Sequence, residues 1–296
     1  MPAREQIGIV GLGIMGSAMA VNVMAAGFPV LGYDVVERRR VALSKASGRA
    51  MRSTREVARR APVVITSLPS GQALQDVAAE LAAVGKRGQI VVETSTLPTA
   101  VKEEARALLA KRGVTLLDCP LSGTGAQARV RDLVVYASGE RVAYRRCVPV
   151  LDAFARAHYF LGPFGAGSKM KFVANLLVAI HNVSAAEALV LGMKAGLDSA
   201  TMVKVLGDGA GSSRMLQVRG PMMVKGDYSA ATMKVGVWQK DMKIIGEFAR
   251  ELDCPTPLFA ATTAVYNAAM ALGFAESDTA SVCAVLEQWA TIRRRP

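Results

Sequence analysis

Ile7-Gly8-Ile9-Val10-Gly11-Leu12-Gly13-Ile14-Met15-Gly16 is the stretch that decides the fold. Its apolar start predicts a buried β-strand, and its three spaced glycines predict a tight turn that opens a helix. In such a turn the first glycine permits the bend, the second lets the backbone approach a pyrophosphate, and the third lets the helix pack on the strand. Backbone N–H groups at the helix start, together with the helix dipole, attract phosphate. The predicted dinucleotide-binding residues are Gly11, Leu12, Gly13, Ile14, Met15 and Gly16.

An acidic residue follows the next apolar run, Val30–Tyr33. This residue, Asp34, lies 18 positions after Gly16, close to the spacing of about 20 residues typical of the acid that binds the adenosine ribose. A carboxylate there accepts hydrogen bonds from the ribose hydroxyls and repels a 2′-phosphate. The sequence therefore predicts NAD. NADP stays possible because Arg38–Arg40 follow one turn later, although we interpret these arginines as a solvated helix face.

Composition limits the class of protein. The 296 residues suit two domains, and a 51% hydrophobic content is enough for large cores. The four cysteines are far apart, without a CxxC pair or metal-ligand spacing, so we predict reduced thiols, no metal site and a cytoplasmic protein. The first apolar run lacks a basic leader and a cleavage site, and polar residues interrupt the longest apolar stretch, Phe172–Leu191. We therefore predict neither a signal peptide nor a membrane span.

The net charge of +12 would attract phosphate groups. The chain nevertheless lacks the interleaved aromatic residues or recognised module typical of nucleic-acid binding, so we expect no nucleic-acid partner.

Strand-like apolar runs alternate with helical patterns through the first half of the chain. This alternation predicts βαβ units and a mostly parallel sheet. A breaker segment at residues 162–167 ends the alternation, and Ser168 is predicted to cap a long apolar helix that ends near Ala195. The pattern afterwards is helical only. We predict a Rossmann-type α/β dinucleotide-binding domain over residues 1–163, followed by an all-α domain over residues 164–296. The predicted strands are Ile7–Val10, Val30–Tyr33, Val63–Ser67, Ile90–Glu93, Val114–Leu117, Leu133–Ala137 and His158–Leu161.

Polar or turn-forming clusters follow several of these strands. Ligands of open α/β sheets bind beyond the carboxyl ends of the strands, so these clusters are candidates for a site. Lys171 and Asn175 are one helical turn apart on the long helix, and Lys171 is the odd charge among apolar neighbours. The other clusters are Leu68-Pro69, Thr94-Ser95-Thr96 and Ser122-Gly123-Thr124-Gly125.

Together these motifs resemble the β-hydroxyacid dehydrogenase family, which includes 3-hydroxyisobutyrate dehydrogenase and tartronate semialdehyde reductase. The resemblance covers essentially the whole chain and implies a 6-phosphogluconate dehydrogenase-like architecture. The sequence departs from the usual family pattern at Thr124, Arg131 and Ala174. The motifs that carry the resemblance are GLGIMG at 11–16, Leu68-Pro69, Ser95-Thr96, Asp118-Cys119-Pro120-Leu121-Ser122-Gly123, Gly165 and Gly167 with Lys171 and Asn175, Lys240-Asp241, and Gly273-Phe274-Ala275 with Asp278.

The resemblance implies an oxidoreductase that transfers a hydride between NAD(P) and a small β-hydroxy acid or its semialdehyde or keto acid. Lys171 would be the general acid/base, and Asn175 would hold the substrate. A neutral lysine is needed to accept the alcohol proton, and burial would lower the lysine pKa toward that state. The family would use Ser122, Gly123 and Thr124 for the substrate carboxylate. It would use Leu68, Pro69, Thr96 and Lys240 toward the cofactor.

Two other functions remain open at this point. Imine reduction could occur on the same scaffold, but such relatives usually replace the lysine that stands here as Lys171. A non-catalytic binding protein that retains the fold would be marked by loss of that same lysine. The long helix is apolar on nearly every face, so we also expect a homodimer or homotetramer.

Overall fold

The computed structural model describes residues 4–292. By its internal contacts the chain divides into two compact units, Met1–Lys171 and Phe172–Pro296. The domain limits of 1–163 and 164–296 stay a prediction.

The first unit is built of strands and helices in alternation. Its strands are β1 (Ile7–Val10), β2 (Val30–Tyr33), β3 (Arg49–Ala50), β4 (Val63–Thr66), β5 (Ile90–Glu93), β6 (Thr115–Asp118), β7 (Leu121–Ser122), β8 (Val134–Ala137) and β9 (Ala157–Phe160). Its helices are α1 (Ile14–Ala25), α2 (Glu37–Lys45), α3 (Thr54–Arg60), α4 (Gly71–Val84), α5 (Thr99–Ala110), α6 (Gly125–Arg129) and α7 (Arg141–Phe154).

Six strands form one parallel sheet in the order β3-β2-β1-β4-β5-β6. This order reverses direction beside β1, and the crevice at such a switch point is where dinucleotides bind. A smaller sheet has the order β7-β8-β9, with β7 antiparallel and β9 parallel to β8. The predicted Rossmann-type α/β fold is confirmed. The two-residue strands β3 and β7 were not predicted.

The strands of the main sheet other than the edge strand β3 are largely buried on both faces because helices cover each side. Two glycines allow this close packing. A methyl group on Gly8 would lie 2.5 Å from Val57, and one on Gly32 would lie 2.2 Å from Leu43. Larger residues at these two positions would push the covering helices off the sheet.

The glycine turn after β1 has the geometry that its sequence predicts. Gly11 has a φ of +91°, and a Cβ there would lie 2.1 Å from the Ser67 carbonyl oxygen. A Cβ on Gly16 would lie 1.9 Å from the Gly11 carbonyl oxygen, so α1 starts against its own turn. Gly13 is different, because a Cβ there would meet no atom within 4 Å. The space above Gly13 is therefore open.

The second unit is helical throughout its described part, to residue 292, apart from one isolated bridge between Lys234 and Asp278. Its core surrounds Trp238 and Tyr266. A buried ion pair joins Arg219 Nε to Asp278 Oδ1 at 3.2 Å. Its elements are α8 (Ala166–Lys194, which begins in the first unit), α9 (Ser199–Asp208), α10 (Arg214–Lys225), α11 (Val235–Glu251), α12 (Pro257–Ala271), α13 (Val282–Trp289) and the 3₁₀ turns Phe274–Glu276 and Thr279–Ser281.

The long helix α8 has 29 residues, which makes it on the order of 40 Å long. By length and composition alone it could cross a membrane. A buried amide within it nevertheless has protein partners, because Asn182 Nδ2 donates to Tyr266 Oη at 3.0 Å and to the Thr279 carbonyl at 2.8 Å. The amino group of this buried amide is therefore satisfied inside the helical unit.

The start of α8 differs from the sequence expectation. The helix begins at Ala166, so the prediction that Ser168 caps it is wrong. Ser168 lies in the first turn, and its N–H and hydroxyl both donate to the Asp118 carboxylate, at 2.7 and 2.8 Å. The cap is therefore an acid from the end of β6, which satisfies donors that a helix leaves free at its start.

The two glycines that open α1 should respond differently to substitution by alanine. We expect Gly16→Ala to lower the free energy of unfolding by about 1–3 kcal/mol, because its methyl group would meet a backbone oxygen. Gly13→Ala should leave this free energy within about 0.5 kcal/mol of wild type. It should still weaken dinucleotide binding at least ~10-fold, because the methyl group would occupy the approach of the pyrophosphate. Urea unfolding and a fluorescence titration with NAD measure the two effects.

Gly207→Ala is the matched control, since a Cβ at Gly207 in α9 also meets nothing within 4 Å. It should change neither cofactor affinity nor stability by more than the small gain typical of alanine in a helix. Wild-type NAD affinity in Gly13→Ala would show that this turn does not hold the pyrophosphate.

Candidate active site

The beginning of α1 fits a pyrophosphate. Gly13 stands before the helix in an extended conformation, and no side chain caps the first N–H groups. The first turn contains no acidic residue that would compete for these donors. The helix start therefore offers free hydrogen-bond donors and the positive end of the helix dipole. The open space above Gly13 leaves room for a pair of phosphate groups.

Asp34 lies buried at the end of β2, and both of its carboxylate oxygens are engaged. Oδ2 accepts a hydrogen bond of 2.7 Å from Leu12 N in the glycine turn. Oδ1 accepts one of 2.8 Å from Val36 N. The carboxylate therefore ties the end of β2 to the turn after β1, in addition to its predicted role in binding the ribose.

Arg38 and Arg39 are exposed, as the interpretation of a solvated helix face predicts, but Arg39 and the half-buried Arg40 also contact Asp34. Arg39 Nη1 lies 3.2 Å from Asp34 Oδ2 and 3.4 Å from Oδ1, with the Arg39 side chain 42% exposed. Arg40 Nη1 donates to the Asp34 carbonyl at 2.6 Å, and its guanidinium lies over the Tyr33 ring. A surface groove of about 540 Å³ between α2 and β3 includes Arg40 and Arg52. Arg39 and Arg40 thus place positive charge directly beside Asp34.

Leu68, predicted to line the nicotinamide half of the cofactor, is fixed by the next strand of the sheet. Leu68 N donates to Ser95 Oγ at 2.8 Å, and Ser95 N donates to Glu93 Oε1 at 2.9 Å. Thr96 is half-buried and Pro69 is exposed beside them. The carboxyl ends of β4 and β5 therefore bring these predicted residues together.

The Ser122-Gly123-Thr124 segment joins β7 to α6. Gly123 has a φ of +131°, and a Cβ there would lie 2.7 Å from Leu133, so glycine is required. Thr124 caps α6 in a capping box with Gln127, whose Oε1 accepts from Thr124 N at 3.0 Å. The departure from glycine at Thr124 thus has a structural reason.

This segment is anchored on the same helix that starts at the glycine turn. Asn22 Nδ2 of α1 donates to the Ala128 carbonyl of α6 at 2.7 Å. Gly125 packs so closely on Ile14 that a Cβ would lie 2.3 Å from it. The predicted substrate-binding and pyrophosphate-binding segments are therefore held together within the first unit.

Lys171 and Asn175 lie one turn apart on α8, which places them on the same face of the helix. Both side chains are buried, at 9% and 4% exposure. Asn175 Nδ2 donates to Asp241 Oδ2 at 2.9 Å. Lys240 Nζ forms an ion pair of 3.3 Å with Asp241 Oδ1. Asp241 therefore joins two predicted site residues of the second unit, Asn175 and Lys240, although sequence reasoning gave Asp241 no role.

A buried charged cluster was missed altogether. Lys102 of α5 is fully buried against Glu93 and Asp118, at the carboxyl ends of β5 and β6. In the sequence Lys102 stands beside two acids, the half-buried Glu103 and the exposed Glu104, which is typical of a solvated helix face. The sequence indicates Asp118 only as the first residue of the Asp118–Gly123 motif. No residue near Lys102 in the sequence indicates that this lysine is buried.

Over residues 4–292 no group of three or more His, Cys, Asp or Glu side chains is arranged to hold a metal ion. Three of the four cysteines are shielded from solvent, and only Cys254 is exposed. Cys119, Cys147 and Cys283 are buried, and burial raises the pKa of Cys147 to about 12.

Comparison with known proteins agrees with this architecture. A family model described as "NAD binding domain of 6-phosphogluconate dehydrogenase" matches residues 6–162. A second, described as "NAD-binding of NADP-dependent 3-hydroxyisobutyrate dehydrogenase", matches residues 165–286. The two models together cover nearly the whole chain.

Full-length relatives agree with the family models. L-threonate dehydrogenase of Cupriavidus necator is 33% identical over 282 residues, which cover 94% of this chain and 95% of that protein. NAD-dependent L-serine dehydrogenase of Pseudomonas aeruginosa is 30% identical and covers 93% of this chain and 95% of its own length.

Solved structures are similar as well. The crystal structure of 3-hydroxyisobutyrate dehydrogenase from Salmonella typhimurium has a TM-score of 0.86 at 31% identity, covering 95% of this chain and 99% of that one. An imine reductase from Pseudomonas sp. has a TM-score of 0.62 at 20% identity, a likeness that shows the fold alone. The expectation drawn from the sequence motifs is confirmed: the chain belongs to the β-hydroxyacid dehydrogenase family of NAD(P)-dependent oxidoreductases.

Proposed function

We propose that this enzyme transfers a hydride between NAD and a small β-hydroxy acid, with Lys171 as the general acid/base. The observation that carries the proposal is the burial of Lys171 one helical turn before the buried amide of Asn175. Bound NAD supplies the hydride acceptor in the direction of alcohol oxidation. Lys171 then takes the proton of the substrate hydroxyl, and it returns this proton when a semialdehyde or keto acid is reduced.

The substrate class follows from the relatives and from the site. The names of the relatives concern threonate, serine and 3-hydroxyisobutyrate, which are short carboxylates that carry a hydroxyl group. Ser122, Gly123 and Thr124 would bind such a carboxylate through a hydroxyl and backbone N–H groups. Because Thr124 caps α6 and its backbone N–H already donates to Gln127 Oε1, we assign the backbone contact with the substrate to Gly123 and the hydroxyl contact to Ser122.

Asn175 would orient the substrate. Its Nδ2 donates to Asp241, which fixes the plane of the amide and leaves its oxygen in a defined direction. A fixed amide holds the reacting hydroxyl at a constant distance from Lys171 better than a mobile one would. Lys240, paired with the same carboxylate, is assigned to the cofactor side.

The cofactor preference would depend on Asp34 and Arg39 together. The Asp34 carboxylate favours the ribose hydroxyls of NAD. The Arg39 guanidinium beside it offsets the repulsion that this carboxylate would exert on a 2′-phosphate, and Arg39 can itself bind a phosphate. We therefore propose a preference for NAD with measurable use of NADP.

Imine reduction is the alternative chemistry on this scaffold. The resemblance to imine reductases supports only the shared fold. Those relatives usually have another residue in place of the lysine, so Lys171 favours the hydroxy acid. We also place the enzyme in the cytoplasm, a proposal supported by the wide spacing of its four cysteines in the sequence.

We further propose that the enzyme is at least a homodimer. Along α8 a stripe of apolar side chains remains exposed, and its spacing places it on one helix face. Water would hydrate this stripe in a monomer, whereas a two-fold contact would bury it. The stripe consists of Met170, Val173, Leu177 and Leu191, which are 41–73% exposed.

Lys171→Ala should abolish turnover and leave cofactor binding intact. We expect kcat to fall at least ~10²-fold, the usual contribution of a general acid/base, with the NAD dissociation constant within about 3-fold of wild type. Nicotinamide absorbance and a fluorescence titration measure the two quantities. Lys169→Ala, two residues earlier on the exposed side of α8, is the matched control and should keep wild-type kcat. A near wild-type rate in Lys171→Ala would refute the assigned role.

Arg39→Ala should sharpen the preference for NAD. Loss of a charge-assisted contact with the 2′-phosphate should lower kcat/KM for NADP about 10-fold or more, while kcat/KM for NAD stays within about 3-fold. Arg38→Ala, at the exposed neighbouring position, should change neither value. Unchanged NADP efficiency in Arg39→Ala, or a wild-type enzyme that prefers NADP, contradicts this assignment.

Light scattering at low micromolar concentration should give a mass of at least twice the 31.2 kDa of one chain. Leu177→Glu should lower the mass toward one chain, because a buried unpaired carboxylate is costly at an interface. Val142→Glu, at an exposed position on α7, is the control and should keep the wild-type mass. A wild-type mass near 31.2 kDa would rule out the dimer.

A further inference from the structure

The ammonium group of Lys102 is fully buried, and it is surrounded by oxygen atoms. Nζ lies 2.8 Å from Asp118 Oδ1, 2.7 Å from the Ser95 carbonyl oxygen and 2.6 Å from Glu93 Oε2. The Ser95 and Asp118 oxygens accept hydrogen bonds from the ammonium ion, and Glu93 Oε2 forms an ion pair with it. A buried charge is costly unless it is fully paired, so this environment holds the lysine rigidly.

Lys102 keeps its positive charge because the attraction of two carboxylates is stronger than the desolvation penalty of burial. Burial alone would lower the pKa of Lys102, but Asp118 and Glu93 raise it well above its usual value. Two carboxylates against one ammonium ion leave an excess negative charge in the interior. The beginning of α8, with the positive end of its helix dipole, lies directly against that charge through Ser168.

From Asp118 the contacts continue to the helix that carries the proposed acid/base. Ser168 N donates to Asp118 Oδ2 at 2.7 Å, and Ser168 Oγ donates to Asp118 Oδ1 at 2.8 Å. Gly167 N donates to Ser138 Oγ at 2.9 Å, and Ser138 pairs with Asp118 through backbone hydrogen bonds. The first turn of α8 is therefore bound to the carboxylate that Lys102 fixes, three residues before Lys171.

Lys102 also fixes the segment that we assign to the nicotinamide. Its Nζ binds the Ser95 carbonyl, and the second oxygen of its partner Glu93 accepts from Ser95 N at 2.9 Å. Ser95 Oγ in turn accepts from Leu68 N. The segment assigned to the nicotinamide therefore shares its anchor with α8.

We propose that Lys102 is a positioning residue for hydride transfer, acting through Asp118 and Ser168 on Lys171. The inference rests on the role proposed above for Lys171. Without the ammonium ion, Asp118 loses its fixed position between β6 and α8, and the first turn of α8 shifts with it. A misplacement of about 1 Å at a reacting group can cost about 10²-fold in rate.

Lys102→Met tests the proposal because it keeps the length of the side chain and removes the charge. We expect kcat to fall about 10–100-fold, with the NAD dissociation constant within about 3-fold, since the glycine turn is untouched. Lys111→Met, at the exposed end of the same helix, is the control and should keep wild-type kcat. Both variants are assayed at a temperature where far-UV circular dichroism matches wild type, so a purely stabilising role would leave kcat unchanged. Wild-type kcat in folded Lys102→Met overturns the proposal.

Ser168→Ala supplies a second test that removes only one hydroxyl. Alone it should lower kcat about 3–10-fold with unchanged NAD affinity, the size expected for one lost hydrogen bond. In the Lys102→Met background its effect should shrink at least about 3-fold, because both changes break the same path. If Lys102→Met does not fold, the single Ser168→Ala variant decides, and wild-type kcat in it overturns the proposal, as full additivity in the double variant would.

Lys171→Ala separates this inference from the function on which it rests. If Lys171→Ala retains turnover, the proposed acid/base is wrong and the positioning role falls with it. If Lys171→Ala is inactive while Lys102→Met and Ser168→Ala keep wild-type kcat, the positioning role alone is wrong.

Discussion

The carboxylate of Asp118 is the constraint on which the first unit depends, because the end of β6, the buried side of α5 and the start of α8 all meet there. Asp118 Oδ1 accepts hydrogen bonds from the Lys102 ammonium group and the Ser168 hydroxyl, and Oδ2 accepts one from the Ser168 N–H. In a parallel sheet the reactive residues lie at the carboxyl ends of the strands, where mobile loops usually follow. Here the buried Lys102–Asp118 ion pair holds the backbone in place at the start of the long helix.

The cofactor side is controlled by a second carboxylate at the same edge of the sheet. Asp34 binds Leu12 N of the glycine turn and also pairs with Arg39. Asp34 Oδ2 thus holds the glycine turn in place. Arg39, which lies beside the same carboxylate, changes the charge that a bound ribose would meet. In our proposal, discrimination between NAD and NADP depends on the Asp34–Arg39 pair of opposite charges rather than on the acid alone.

Much of the fold could be predicted from the sequence because its signals are local. The glycine turn, the buried strands and the helical second half each follow from residues within one short window. The two-residue strands β3 and β7 could not be predicted in this way, since their pairing is decided by neighbouring strands. The start of α8 was misplaced for the same reason, because its cap comes from Asp118, 50 residues earlier in the chain.

Only part of the candidate site could be predicted from the sequence. Lys171 stood out as a charge among apolar residues, and the spacing to Asn175 followed from helix geometry. Lys102 did not stand out, because its neighbours in sequence are solvated acids while its partners come from two other elements. Burial of a charge is decided by tertiary partners, which a single sequence does not display.

The amide of Asn182 has a consequence for the long helix that carries Lys171. An apolar helix can slide or rotate in an apolar groove with little penalty, because one aliphatic contact replaces another. Asn182 removes this freedom, since its bonds to Tyr266 Oη and the Thr279 carbonyl exist at only one rotation and one axial position. A shift of this part of α8 by one residue would turn it through roughly 100° and leave the buried amino group of Asn182 without its two partners. A single polar side chain thus sets the rotation of α8 within the helical unit.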